Sequence, residues 1–231
     1  FIDALGFKQP RQYSLSDSST GQYLRISVKN ESPKAEGQDP GYVSSTLHNT
    51  VKENDVIELS APTGNFFLFN PEKTNVLISA GIGLTPMMAM LNQLLTGNTD
   101  PNEKVTLWEK IKANFNKPEP KNPINFIHAV RNSRVHAMKE TVQDLAKKHD
   151  NLNVFVAYEQ TDSKDVLGRD YHAEGRLNLK QLDAKMLPKD ADYYLCGPIP
   201  FMQVQHKALL ELGIPAQNIH SEAFGTGGVA L

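Results

Sequence analysis

NVLISAGIGLTPMMAMLNQLL, residues 75–95, is the stretch around which the chain is organised. Val76–Ala80 is an apolar run of strand length. It breaks at Gly81-Ile82-Gly83, after which Met87, Met88, Leu91, Leu94 and Leu95 recur at helical spacing behind Thr85-Pro86. Pro86 is expected at the first helical position, where its missing N–H has no partner, with Thr85 capping the exposed amides. Strand, glycine turn and capped helix is how an α/β sheet makes a phosphate site, because small residues let a diphosphate reach backbone amides at the positive helix end. Gly-x-Gly alone is equally at home in an ordinary βα turn, so the other segments must decide.

Working outward, the C-terminal side alternates between strands and helices. Strand 124–130, helix 136–148, strand 153–158 and a polar loop 159–175 come first. A weak helix over 178–186, strand 192–196, helix 200–212 and strand 218–224 follow. This predicts a mostly parallel sheet covered on both faces, with ligands at the carboxyl ends of its strands. Within 97–122, the helical spacing of Leu107, Trp108, Ile111 and Phe115 predicts an inserted amphipathic helix near 103–116, packed on its own domain or, alternatively, docking a partner. Residues 1–69 instead read as β. Extended residues 11–15, a turn at 17–21 and strands 23–29 and 56–59 accompany a polar loop at 30–41 and a short helix 44–49, capped by Ser44 or Ser45. The fold class is therefore α/β plus β: a small antiparallel barrel over 1–70, then a parallel-sheet α/β domain over 71–231.

Composition removes several function classes. A formal net charge of −2 gives no electrostatic case for nucleic acid or an anionic membrane. One cysteine, Cys196, excludes an internal disulfide, a thiolate-held iron–sulfur cluster and a Cys-rich zinc site, and suits a reducing, cytoplasmic setting. No apolar run reaches the roughly 18 residues of a membrane span. The N-terminal FIDALGFKQP lacks both signal-peptide character and an initiator Met, so a fragment is expected. The seven histidines (48, 128, 136, 149, 172, 206 and 220) show no metal-ligand spacing and read mostly as surface or capping residues. Neither a Gly-x-Ser-x-Gly elbow nor a kinase signature is present.

Four clusters stand at expected turns or strand ends. Arg11-Gln12-Tyr13-Ser14 sets a cation, a ring and a hydroxyl along an extended segment. Alternation sends Arg11 and Tyr13 to one face, Gln12 and Ser14 to the other. These residues suit a flat cofactor with a phosphate tail, and equally an edge strand with one surface ion pair. Gly41-Tyr42-Val43-Ser44-Ser45 offers a second helix N-terminus. Tyr194-Leu195-Cys196-Gly197-Pro198 ends an apolar strand with Cys196 at the rim, a position that also suits a small buried hydrophobe. Glu222-Ala223-Phe224-Gly225 closes the series with a carboxylate and an aromatic ring.

RQYS, GYVS, GIGLTP, YLCGP and EAFG, in that order over nearly the whole chain, resemble the ferredoxin–NADP reductase superfamily. SAGIGLTPMMAML, HAVRNSRVHAM, YYLCGPIPFM and NIHSEAFG are similar to the reductase part of flavohemoglobins, the nitric-oxide-detoxifying proteins of bacteria and yeasts. The resemblance implies an FAD-binding barrel followed by an NAD(P)H-binding domain. It assigns Arg11, Gln12, Tyr13 and Ser14 to the flavin, with Tyr13 against the isoalloxazine and Ser14 near its N5. Gly41, Val43 and Ser44 fall to the flavin diphosphate, and Gly81, Ile82, Gly83, Leu84, Thr85 and Pro86 to the pyridine nucleotide. Cys196, Gly197 and Pro198 come beside the nicotinamide, Glu222 tunes the flavin, and Ala223, Phe224, Gly225 and Thr226 form a C-terminal flavin contact. The catalytic set so implied is Tyr13, Ser14 and Glu222. Against this pattern the chain lacks the globin domain, and with it the haem, and lacks the first barrel strands, since it starts ten residues before Arg11.

The expected activity is hydride transfer from NAD(P)H to FAD, then single electrons to a haem globin domain normally on the same chain, as in a nitric oxide dioxygenase. A monomer without nucleic acid, membrane or metal is expected. Arg131 and Arg134, in the second βα turn, stand where a 2′-phosphate binds, or are solvated turn residues, so NADH and NADPH both remain open. The rivals are a reductase with another acceptor and a truncated module that takes no flavin.

Overall fold

The computed structural model describes residues 2–4, 7–9, 11–18, 23–30, 41–96 and 122–223. The helix expected near 103–116, most of the 30–41 loop, and Phe224, Gly225 and Thr226 lie outside the described residues.

The C-terminal part is built on a sheet of six parallel strands, β3 (Asn75–Ala80), β4 (Ile124–Val130), β5 (Leu152–Tyr158), β6 (Ala173–Glu174), β7 (Asp192–Gly197) and β8 (Ile219–Ala223), in the order β6-β5-β4-β3-β7-β8. Strands of a fully covered sheet are apolar on both faces, and β3 shows how: alternate residues enter different cores. Leu77 joins Leu84, Met87, Met88 and Leu91 of α2 (Leu84–Thr96) and Val142 of α3 (Lys139–Lys148). Val76 and Ile78 join Met202, Ala208 and Leu209 of α4 (Ile199–Glu211) on the other side. No helix among the described residues is long and apolar enough to cross a membrane.

Several boundaries differ from the sequence expectation for local reasons. A 3-10 turn over Gly81–Gly83 runs straight into α2, so Pro86 is the third residue of that helix. Thr85 does not cap it; its hydroxyl donates back to the Ile82 carbonyl at 3.1 Å, the acceptor that Pro86 has no N–H to reach. The helix expected from His136 starts at Lys139, behind Met138 in a left-handed conformation with φ of 55°. The weak helix at 178–186 is two 3-10 turns, each closed by an Asn178 or Asp183 side chain accepting a nearby amide. Within the expected loop 159–175 lies β6, a two-residue edge strand too short to carry a periodic signal.

The N-terminal part departs furthest. It holds a small antiparallel pair, β1 (Ile2–Ala4) with β2 (Phe7–Gln9), helix α1 (Tyr42–Asn49), and one bridge between Leu15 and Ile26. Segments 11–15, 23–29 and 56–59 form no continuous ladder, and Val56 is 96% exposed. Apolar alternation marks a strand only where a neighbour completes its hydrogen bonds along its length, and among the described residues the pairing goes no further than the Leu15–Ile26 bridge and the Ser16 amide on the Arg25 carbonyl, at 2.8 Å.

A carboxylate ties the start of α3 to the long loop before β6. Asp170 accepts Lys139 Nζ at 2.6 Å, Arg169 Nη2 at 2.7 Å and the Val166 amide at 2.8 Å. The Arg169 hydrogen bonds, helped by Lys139 and Val166, hold its carboxyl well below the ordinary carboxylate range against the opposing effect of burial. A depressed folded value stabilises above the unfolded value of about 3.9 and is lost as pH falls through the folded one. Asp170→Asn is expected to lower stability by about 1.5–3 kcal/mol at neutral pH, the range for a hydrogen bond to a charged group. In urea unfolding the gap between the two proteins narrows below pH 4 or so, as protonation removes the same charge from the parent.

Candidate functional site

Strand order reverses between β3 and β7: from β3 the chain moves outward to β4, then returns to lay β7 on the other side. Open α/β sheets bind ligands at such a switch point, beyond the strand carboxyl ends. Here the two strands end in Gly81-Ile82-Gly83 and Gly197-Pro198.

The two glycines of the first turn serve different ends. Gly81 adopts φ of 53°, and a Cβ there would meet nothing within 4 Å, so its requirement is conformational and its surface is open. A Cβ on Gly83 would overlap the Cys196 carbonyl and stand 2.8 Å from Gly197 N. The second glycine therefore makes room for β7, where the motif alone suggested room for a diphosphate. Gly197 is confined in turn, with Ala80 and Phe201 within 3.3 Å of its would-be Cβ.

Beside this crevice is a cavity of about 280 Å³. Arg11, Gln12, Tyr13 and Ser14 all line it, as do Gly41, Val43, Ser44, Ile82 and Thr85. Three separate sequence clusters thus line one cavity. All four residues of the first cluster reach the cavity, so the strict alternation expected of 11–14 does not hold; with no ladder along them, no pleat separates the faces. Burial raises the Tyr13 phenol, partly offset by Arg11. Ser44 does not cap α1: Gly41 is the N-cap, and Ser44 Oγ donates to its carbonyl at 2.9 Å.

The other two clusters meet through the sheet. Cys196 and Glu222 are register partners in β7 and β8, and Ser14 Oγ donates to Glu222 Oε2 at 3.4 Å. Glu222 is raised by burial, with the Ser14 hydrogen bond opposing. The Cys196 thiol is fully buried and pushed far up by burial and by Glu222, so it is a packed side chain rather than a rim nucleophile. Leu84 and Pro86 are buried in α2, and Ala223 is half-buried at the end of β8.

Of the two arginines in the second βα turn, Arg134 is held by both oxygens of Asp162, at 2.9 and 3.1 Å, whereas Arg131 is exposed at the end of β4. The histidine expectation fails at His128. It is wholly buried on β4, shares a 2.9 Å hydrogen bond with Ser79 Oγ, and is pushed down to about 3 by burial and by His136. Sequence reading also passed over Ser27 and Lys29, which line the cavity. Their signal was present, since period-2 spacing in YLRISVK puts both on one face opposite the apolar residues.

Residues 77–207 match the oxidoreductase NAD-binding domain family, so the chain belongs to that family. The flavohemoprotein of Chromobacterium violaceum is 46% identical over 98% of the chain, which spans 50% of that protein's length. The crystal structure of the flavohem-like FAD/NAD-binding domain of nitric oxide dioxygenase from Vibrio cholerae superposes with a TM-score of 0.75 at 35% identity, covering 97% of this chain and 82% of that one. Within the family, the chain is of the flavohemoglobin reductase type. Flavohemoglobin from Malassezia yamatoensis, solved with bound FAD and haem, has a TM-score of 0.64 at 25% identity over 94% of this chain and 47% of its own.

Because the space for a Gly83 side chain is taken by backbone, Gly83→Ala must push β7 and the α2 turn apart. A loss of about 1–3 kcal/mol in unfolding free energy is expected, the usual cost of overpacking. Gly81→Ala, strained only in its backbone, is expected to lose less, about 1 kcal/mol, as a residue forced into the left-handed region.

Proposed function

We propose that this chain is the reductase half of a nitric oxide dioxygenase, a flavin-dependent NAD(P)H oxidoreductase that serves a haem globin domain. The observation that carries this reading is the convergence of 11–14, 41–44, Ile82 and Thr85 on one cavity beside the switch point. Its volume, about 280 Å³, is near the lower bound of ligand pockets. An aromatic ring, two cationic side chains (Arg11 and Lys29) and a helix N-terminus suit a flat ring system with a diphosphate.

Bound FAD would supply the redox chemistry, that of a two-electron hydride acceptor for NAD(P)H able to pass electrons on singly. The protein's own part is positional. Tyr13 offers the stacking surface, Arg11 and the first turn of α1 hold negative charge, and the open Gly81 turn with the N-terminus of α2 takes the dinucleotide. Ser14 stands against Glu222, a carboxyl that burial makes readier to hold a proton than an exposed one. A hydride moves with its own proton and both electrons, so no acid or base need act in that step, and holding the two reactants in one orientation lowers its barrier by roughly 7–11 kcal/mol at best.

In this reading residues 1–70 are the flavin barrel, and 71–231, with the 103–116 insertion, the NAD(P)H domain. Phe224, Gly225 and Thr226 are the C-terminal flavin contact. The chain spans about half the length of the curated relatives it matches, which leaves length for a globin. A cytoplasmic setting suits the lone cysteine. The 96% exposure of Val56 favours the alternative, a chain that takes no flavin because its barrel is open.

Titration with FAD separates the two. The flavin reading expects a yellow protein whose absorbance is bleached by NADH or NADPH, with Tyr13→Ala lowering FAD affinity at least tenfold; a chain that stays colourless in excess FAD overturns it. Arg131→Ala is expected to weaken NADPH about tenfold while leaving NADH within twofold, roughly the worth of one charged hydrogen bond. Equal effects on both cofactors remove Arg131 from any 2′-phosphate site.

A further inference from the structure

Asp17 lies just beyond the cavity-lining segment, and its carboxylate gathers four donors. Oδ1 accepts the Ser18 amide at 2.9 Å and the Asn92 side-chain amide at 2.7 Å. Oδ2 accepts the Tyr23 hydroxyl at 2.8 Å and pairs with Arg25 Nη1 at 2.8 Å. The Asp17 side chain is 11% exposed, against 57% for Arg25, whose guanidinium also lies 5.3 Å from the Tyr23 ring centroid. Ser18, Tyr23 and Arg25 belong to the N-terminal half and hold the carboxylate in place. Asn92 does not: it is on α2, the helix that opens at the switch point.

The position of Asn92 has a consequence for the cavity. Tyr13 and Ser14, a few residues before Asp17, line it together with Ile82 and Thr85, at the start of α2. Thr85 and Asn92 are seven residues apart on one helix, or about 10 Å at 1.5 Å per residue. The two halves thus touch at the cavity and again two turns along α2, and two separated contacts fix an angle that one contact leaves free. Other hydrogen bonds between the halves are of different kinds: Ser14 to Glu222 is long, at 3.4 Å, and the Phe69 amide to the Tyr194 hydroxyl, at 2.8 Å, is next to the linker. Asp17–Asn92 is short, charge-assisted and remote from the linker.

We propose that Asp17 and Asn92 are a positioning pair, the joint that sets the angle between the flavin-side wall of the cavity and the dinucleotide turn. Neither residue lines the cavity. The pair rests on the oxidoreductase reading for its purpose, and on the hydrogen bonds alone for its mechanical role.

The test uses the whole chain with Asn92→Leu and with Asn92→Ser, whose side chain is too short to reach Asp17. Without ligand, amide hydrogen exchange in 11–18 and 41–44 is expected to quicken about tenfold in either variant, with 124–130 unchanged. With FAD bound, flavin affinity stays within about threefold, while the rate of bleaching by NADH in a single turnover falls about 10- to 100-fold, the scale of an ångström misplacement. The long-wavelength charge-transfer band of the stacked rings weakens with it. Unchanged exchange in both single variants overturns the joint. A fall in FAD affinity that matches the fall in rate overturns the positioning role, because it marks general loosening. If the parent chain takes no FAD, the oxidoreductase reading fails, and exchange on the ligand-free variants still decides the joint.

Discussion

The close approach of two backbones governs this structure. The turn after β3 lies on the carboxyl end of β7 with no room for a methyl group on Gly83, because the Cys196 carbonyl occupies that space. That contact allows β3 to serve as the centre of the sheet, with β4 on one side and β7 on the other, and it brings the two turns together as one crevice. Everything the crevice offers depends on it. The start of α2 is aimed from Gly81–Gly83, and β7 in turn carries β8, so Glu222 reaches the same end of the molecule.

Around that frame, polar groups are used to hold loops to one another. Asp170 draws α3 and the loop before β6 together, and Arg134 ties the second βα turn to Asp162. Ser79, His128 and Tyr158, buried on β3, β4 and β5, form a further group with the half-buried His136 of the turn after β4: the His128 and His136 ring centroids are 5.3 Å apart, and His136 Nδ1 is 2.8 Å from the Tyr158 hydroxyl. Burial drives both imidazoles neutral, pushing His136 down to about 4 with help from Lys139. These contacts stiffen the loops at the carboxyl end of the sheet, where an α/β domain presents its ligand site.

The sheet was largely legible from local pattern because buried parallel strands and their helices carry strong apolar signals. Val76–Ala80 and Ile124–Val130 end where the residue types say they should. The N-terminal half was less legible, since YLRISVK and VIEL alternate like strands but a strand also requires a partner, which no local pattern records. Terminal turns were misjudged for a related reason. Ser44 and Thr85 are good capping residue types, yet each turns its hydroxyl back to a carbonyl three residues earlier, a choice set by where the preceding turn begins.

What the sequence determined by itself was the order of chemistry along the chain: a ring, hydroxyl and cation cluster, a helix start, a glycine turn, a strand-end glycine and a late carboxylate. Residue types and apolar period suffice for that, because both are local. Only the tertiary structure decided which of these meet. It brought Tyr13, Val43 and Thr85 to one cavity, buried the Cys196 thiol while using its carbonyl, and recruited Asp17 and Asn92, which no motif contains. Those outcomes turn on strand order, register and close approach between segments far apart in the chain, and each is a relation between residues rather than a property of any one of them.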